Sequence, residues 1–164
     1  MIVRHSAAPL LYLRSPWETA VEAACAAWEG TPYKLNKCTR GRYVDCIHFA
    51  AAVLDTLFGT SHSRGLQSLP PDACIHNRRG VEVALRALLR AYPQHRVRDG
   101  SVEAGDLVIW GRASLRSGPS HLLVASLPNK LWHATPPSVA FSGYSIPDSH
   151  RLLAVYRSKN KHLW

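Results

Sequence analysis

Three residues of this chain have the types needed for nucleophilic catalysis: Cys46, His121 and His133. Cys46 follows Asp45, a good N-cap residue, so we predict that Cys46 lies in the first turn of a helix. The free amide groups and the helix dipole there favour a thiolate. A nucleophile in that position, a histidine on a facing strand and a polar residue to orient it would form a cysteine–histidine catalytic unit. The ordinary alternatives are a packed cysteine and surface histidines.

The two histidines are predicted to lie on neighbouring strands. His121 opens an apolar segment that runs to Leu127, and His133 lies in the next segment, residues 130–134. Antiparallel strands joined by a tight turn at residues 127–129 would bring the two imidazoles within hydrogen-bond distance. The sequence therefore predicts a histidine pair, provided that these two segments form a hairpin.

Two helices are predicted to precede these strands. Residues 15–18, Ser-Pro-Trp-Glu, have the form of a capping box with proline at the first helical position. We expect that helix to run to Gly30, with Cys25 on its buried face. The second helix is expected to begin after Asp45 and to end at Gly59, with most of its circumference buried.

The remaining segments define the fold class. Residues 31–44 and 60–77 are predicted to be irregular, with Cys74 a packed residue, and a third helix is predicted around residues 79–90. The pattern beyond Pro93 is strand-like in five segments: residues 107–110, 121–127, 130–134, 139–144 and 152–157. Helices followed by a run of antiparallel strands predict an α+β domain, in which the helices pack against one curled sheet.

Composition limits the possible functions. The 164 residues are 46% hydrophobic and 19% charged, which predicts one compact domain, residues 15–158, between an N-terminal arm, 1–14, and a basic tail, 159–164. The formal net charge of +9 favours a polyanionic partner. The basic residues form no recognised nucleic-acid motif, so charge alone supports that class. No apolar run is long enough to span a membrane.

The cysteines point away from disulfides and metals. Four cysteines with no C-x-x-C pair are too few for a disulfide scaffold and suit a reducing compartment. Cys38, Cys46, Cys74 and His76 lack the close paired spacing of a zinc site. We therefore expect neither a metal nor a cofactor.

Several segments resemble the NlpC-type cell-wall endopeptidases, which are compact papain-like cysteine peptidases of bacteria and their phages. The similar segments are WEGTPY (28–33), VDCIHF (44–49), AGDLVI (104–109), SHLLV (120–124) and LWHA (131–134), and the order and separation of features fit the family from about residue 17 to residue 157. The resemblance implies a papain-like NlpC-type fold with Cys46 as the nucleophile, His121 as the general base and acid, and His133 as the residue that orients His121.

The resemblance also implies roles around the nucleophile. Tyr33 would donate its hydroxyl near the oxyanion, and Asp45 would help to hold a free amino terminus of the substrate peptide; helix capping alone is the simpler role for Asp45. The family usually has glycine where this chain has His48. With His48 at this position, the helix start would either pack differently or present an extra imidazole beside the thiol as a modulator.

The closest resemblance is to small peptidases encoded among phage tail genes and in gene-transfer particles. They share a basic loop before the nucleophile and a closing segment like residues 151–157. This implies a protein made in the bacterial cytoplasm and carried in the virion tail, in contact with tail-tip or hub proteins, that cuts the peptide stems of peptidoglycan. The alternative is a structural tail-tip protein that keeps the peptidase fold with a blocked or weakly active cleft.

Overall fold

The computed structural model describes residues 14–66, 78–113, 119–127, 130–143 and 148–160. The predicted arm up to residue 13, Cys74, His76 and the predicted tail from residue 161 lie outside these ranges. The helices are α1 (Pro16–Ala26), α2 (Cys46–Phe58), α3 (Ser63–Leu66) and α4 (Arg78–Ala91). The strands are β1 (Cys38–Thr39), β2 (Tyr43–Val44), β3 (Gln94–Val97), β4 (Leu107–Arg112), β5 (Pro119–Leu127), β6 (Lys130–Ala134), β7 (Val139–Ser142) and β8 (His150–Ser158).

Six strands form one antiparallel sheet in the order β3-β8-β4-β5-β6-β7. Alternate residues of its strands, such as Leu122 and Val124, face the main core. Helices α1, α2 and α4 cover this face of the sheet. The intervening strand residues, such as Leu123 and Ala125, belong to a smaller cluster on the other face. This is the period of two that a strand imposes. The chain is therefore a mixed α+β protein, as the order of patterns predicts.

Helix α1 begins as predicted and ends early. Ser15 Oγ accepts from the Glu18 amide at 3.2 Å, and the Glu18 carboxylate accepts from the Ser15 amide at 2.8 Å, which completes the capping box. The helix stops at Ala26, and the expected end at Gly30 is wrong. The Gly30 amide donates instead to the Val139 carbonyl at 3.0 Å, so residues 27–30 leave the helix and join the edge of the sheet.

Trp17 locks α1 to the start of β4. Its indole Nε1 donates to the Ala104 carbonyl at 2.6 Å. The ring lies so close to Gly105 that a Cβ added there would be 2.3 Å from a ring carbon. Gly105 also has a φ of +84°, so glycine is required at this contact for both steric and backbone reasons.

Helix α2 confirms its predicted ends. Asp45 caps it, and Gly59 ends it in the left-handed conformation with a φ of 64°. Near its C-terminal end, the Asp55 carboxylate accepts from the Tyr92 hydroxyl at 2.7 Å and from the His62 and Ser63 amides at 2.8 and 2.9 Å. This buried carboxylate joins α2 to α3 and to the segment that follows α4.

The predictions for the polar connections are wrong in part. Residues 38–44 form a short hairpin, β1–β2, where an irregular loop was expected. Helix α3 and strand β3 also lie where no element was predicted. Strand β3 has the polar sequence QHRV at one edge of the sheet, so it carries no apolar alternation.

Asp106 and Arg157 join β4 to the last described strand. The guanidinium of Arg157 donates to both carboxylate oxygens of Asp106, at 3.0 and 2.8 Å. Asp106 is fully buried, so its charge requires this paired cation.

Among the described residues, no helix is long and apolar enough to cross a membrane.

Candidate functional site

Cys46 lies in the first turn of α2, as predicted, with only 1% of its surface exposed. The backbone N–H groups of Leu122, Ile47 and Cys46 itself interact with the sulfur. Because Leu122 directly follows His121 in β5, the sulfur lies beside the peptide that joins these two residues. The fold therefore brings the predicted nucleophile to the strand of the predicted base.

The prediction that the helix start favours a thiolate is wrong for the resting protein. Burial and, to a smaller extent, the neighbouring Asp45 carboxylate raise the pKa of the Cys46 thiol to about 12, although three backbone N–H groups act to lower it. The helix-end amides stabilise the thiolate by less free energy than its removal from water costs. At neutral pH, Cys46 is a neutral thiol.

His121 and His133 are hydrogen-bonded to each other. Nε2 of His121 lies 2.8 Å from Nδ1 of His133, and the two rings meet edge to face with centroids 5.0 Å apart. The β5–β6 hairpin that places them pairs Val124 with Trp132. The expected proximity of the imidazoles is thus confirmed.

This bond restricts the tautomers that could serve a thiol. A base that accepts a proton at Nδ1 of His121 must carry its own proton on Nε2, and it then donates to Nδ1 of His133. His133 must in that case carry its proton on Nε2. The pair holds one ring nitrogen of His121 in place and leaves the other as the acceptor.

Both imidazoles are neutral at physiological pH. Burial lowers the pKa of His121 to about 3, with smaller contributions from the nearby His133 and His150. Burial alone lowers the pKa of His133. At rest, the Cys46 thiol and both imidazoles are therefore neutral.

Sequence reasoning missed two residues that extend this cluster. Trp110 lies opposite His121 in the β4–β5 register, with ring centroids 6.4 Å apart. The ring centroid of His150, at the start of β8, lies 6.2 Å from that of Trp110. The four rings form a row across β6, β5, β4 and β8. Only the strand order, with β8 beside β4, could have identified His150.

Asp45 is held entirely by internal partners. Its carboxylate accepts from the Asn36 amide at 2.7 Å, from the His48 amide at 2.9 Å and from Nδ1 of His48 at 2.8 Å. Only 1% of Asp45 and 3% of His48 are exposed. These contacts show the capping role, and the role of Asp45 in holding a substrate amino terminus stays a prediction.

His48 lies beside the nucleophile as an added imidazole, and its ring is turned to Asp45. Its Nε2 is buried and has no hydrogen-bond partner among the described residues. Its effect on Cys46 is therefore expected to act through the Asp45 carboxylate, whose charge raises the pKa of the thiol.

Tyr33 lies twelve residues before the capping aspartate in the sequence and is held next to the residue that precedes it. It forms a parallel bridge with Val44, and its amide donates to the Pro137 carbonyl at 2.9 Å. The backbone of Tyr33 thus lies next to the segment that enters α2. The role of its hydroxyl at the oxyanion stays a prediction.

Two further cysteines, Cys25 and Cys38, lie within the described residues. Cys25 is buried in the core, as predicted, and Cys38 is partly buried with its thiol directed at the His48 carbonyl, 3.8 Å away. Burial raises the pKa of Cys38 to about 11. In the part of the chain that the structure describes, no group of three or more His, Cys, Asp or Glu residues could hold a metal ion.

No protein-family model matches this chain, and no curated protein matches it.

Proposed function

We propose that this protein is a cysteine endopeptidase with a papain-like NlpC-type fold that hydrolyses the peptide stems of bacterial peptidoglycan. The observation that carries the proposal is the His121–His133 hydrogen bond on the strand whose next residue, Leu122, directs its backbone N–H at the Cys46 sulfur. A thiol, a neutral base and a second imidazole that fixes the base's tautomer are the groups that acyl transfer requires.

The reaction begins with a neutral thiol. As the Cys46 sulfur attacks the carbonyl carbon of the scissile amide, its proton moves to Nδ1 of His121. The oxyanion accepts from the Cys46 amide and the Tyr33 hydroxyl. His121 then gives the proton to the leaving amine, and water releases the acyl group from the sulfur. His133 accepts from Nε2 of His121 throughout and so stabilises the imidazolium.

The charge of the protein supports a wall substrate. Peptidoglycan stems carry carboxylates, and a chain with a formal net charge of +9 is attracted to such a polymer. We place the protein in a phage tail tip or gene-transfer particle, in contact with tail-tip or hub proteins, where it would open the host wall. This location depends on the family resemblance.

Mass spectrometry of digested peptidoglycan tests the activity. Purified fragments are incubated with the wild type, with Cys46→Ala and with Cys25→Ala, which removes a core thiol outside the proposed unit. New peptide ends should appear with the wild type and Cys25→Ala and be absent with Cys46→Ala. Equal cleavage by Cys46→Ala, with its fold confirmed by circular dichroism, would refute the mechanism.

One observation favours a second function, that of a structural tail-tip protein. The Cys46 sulfur is almost fully buried and its thiol is neutral, as in a closed cleft. This alternative predicts no new peptide ends from the free protein or from assembled particles. Cleavage by particles alone would instead show a peptidase whose cleft opens on assembly.

A further inference from the structure

The segment that leads into α2 presents positive charge with no local compensation. Its four cations all have exposed side chains and form no ion pair with another described residue: Lys34, Lys37, Arg40 and Arg42. Residues 31–44 contain no Asp or Glu. Elsewhere, Lys130 pairs with Glu22, and Arg157 pairs with Asp106 and Glu103. The charge at residues 34–42 is therefore available to an external anion.

The backbone of this segment is fixed. In the β1–β2 hairpin, Cys38 pairs with Val44, and the Arg42 amide donates to the Thr39 carbonyl at 2.9 Å. The Gly41 amide, at a φ of 75°, donates to the Thr31 hydroxyl at 3.1 Å. Because the hairpin is already folded, little backbone entropy is lost when its side chains bind a ligand.

An exposed aromatic ring accompanies the cations. Tyr43 is 44% exposed, and the Lys34 ammonium lies 4.7 Å from its ring centroid. A ring and cations on one small surface suit a ligand with carboxylates on a partly apolar peptide backbone.

The hairpin is adjacent to the nucleophile. Arg42 precedes Cys46 by four residues, which is at most about 14 Å of extended backbone. Anything bound along the hairpin therefore lies within a few residues of the thiol.

We propose that the β1–β2 hairpin with its flanking Lys34 and Lys37 is a docking surface that binds the carboxylates of peptidoglycan peptide stems. This inference rests on the proposed function and adds to it the surface that recruits the substrate. A nucleic acid is the less suitable occupant, because two-residue strands with one aromatic ring provide neither a groove-reading helix nor a stacking platform.

Binding to purified sacculi tests the proposal in the full chain carrying Cys46→Ala, so that turnover cannot contribute. The hairpin variant carries four Gln substitutions, at Lys34, Lys37, Arg40 and Arg42. The matched control replaces with Gln four exposed cations outside this segment that likewise form no ion pair with another described residue: Arg64, Arg90, Arg98 and Lys159. Both sets lower the formal net charge from +9 to +5.

Co-sedimentation should separate the two variants. An exposed ion pair is worth a factor of about two to three, so the hairpin variant should bind sacculi about thirtyfold more weakly, and the control less than threefold. The difference should disappear in 1 M salt, where the Debye length is about 3 Å. Equal weakening by both variants would overturn the proposal in favour of general charge attraction.

Two further ligands identify the bound group. Sacculi whose carboxylates have been amidated with methylamine should bind the parent protein about as weakly as untreated sacculi bind the hairpin variant. A hairpin variant that loses binding to duplex DNA while keeping its binding to sacculi would overturn the proposal and favour a nucleic acid. If the fourfold variant does not fold, Arg40→Gln with Arg42→Gln should give about a fivefold loss. The binding experiment uses the Cys46→Ala protein, which cannot cleave. A negative binding result therefore does not change the outcome of the peptidoglycan digest, and a negative digest does not change the outcome of the binding experiment.

Discussion

The reactivity of Cys46 should rise only in strongly alkaline solution. Burial and the Asp45 carboxylate raise the pKa of this thiol to about 12 from 9.0. Each pKa unit is a factor of ten, so at pH 8 the folded protein should hold about a thousandfold less thiolate than an unperturbed cysteine. This corresponds to about 4 kcal/mol in favour of the neutral form.

Alkylation by iodoacetamide measures this directly. The rate at Cys46 is followed by mass spectrometry of its peptide between pH 6 and pH 11, in the folded chain and in urea. The folded protein should react about a thousandfold more slowly at pH 8, and its rate should still be rising at pH 11. An apparent pKa below 8 in the folded protein would refute the reasoning, because it would mean that the helix amides outweigh burial.

Asp45→Asn separates the two causes. Asparagine also caps a helix, so the variant removes the charge and keeps the cap. Its Cys46 profile should move to lower pH and stay above 9, since burial is the larger cause. An unchanged profile would show that the sulfur does not sense the carboxylate.

Three other outcomes follow from the structure. His121→Ala should lower kcat about 10³-fold or more, and His133→Ala should lower it about 10- to 100-fold, because an orienting group is partly replaceable and the proton carrier is not. Equal and total loss of activity in the two variants, with folding confirmed, would mean that the histidines have equivalent roles. Because the pKa of His121 is lowered to about 3, His121 stays neutral from pH 7 to pH 5 and its protonation should not lower kcat in that range; a midpoint near 6.5 in the pH profile would contradict this. Gly105→Ala should destabilise the protein by about 3 kcal/mol, because the added Cβ clashes with Trp17. Gly100 has a φ of +72° and nothing within 4 Å of an added Cβ, so Gly100→Ala should cost only about 1 kcal/mol. Urea denaturation compares the two variants, and equal losses of stability would assign the effect to backbone strain.

The sequence predicts those parts of the site that depend on local signals. The N-cap Asp45 and the C-terminal Gly59 define α2, and the pairing of two consecutive apolar segments, β5 and β6, brings His121 to His133. Each of these relations lies within about a dozen residues of chain, where turn chemistry and hydrophobic period decide the structure.

The remainder depends on packing over longer distances. His150 joins the cluster because β8 pairs with β4, a contact that no period in the sequence encodes. The protonation state of the Cys46 thiol depends on how deeply the start of α2 is buried. The N-cap signal in the sequence predicts where the helix begins but not how far that end is removed from water. Strands β1 and β2 are too short to show alternation. The orientation of the His48 ring towards Asp45 is a side-chain conformation that depends on packing in the first turn of α2.

The position of β8 has a consequence for synthesis of the chain on the ribosome. Strand β4 ends at Arg112, and its neighbour β8 begins at His150, so the ribosome adds His150 38 residues after Arg112. At 5 to 20 residues per second, β4 waits about 2 to 8 s for that neighbour. During this interval one hydrogen-bonding edge of β4 is open to strands of other nascent chains, and Asp106 lacks its arginine. Slow translation between residues 112 and 150 would therefore favour misassembly on polysomes, and a chaperone that covers strand edges would favour the native protein.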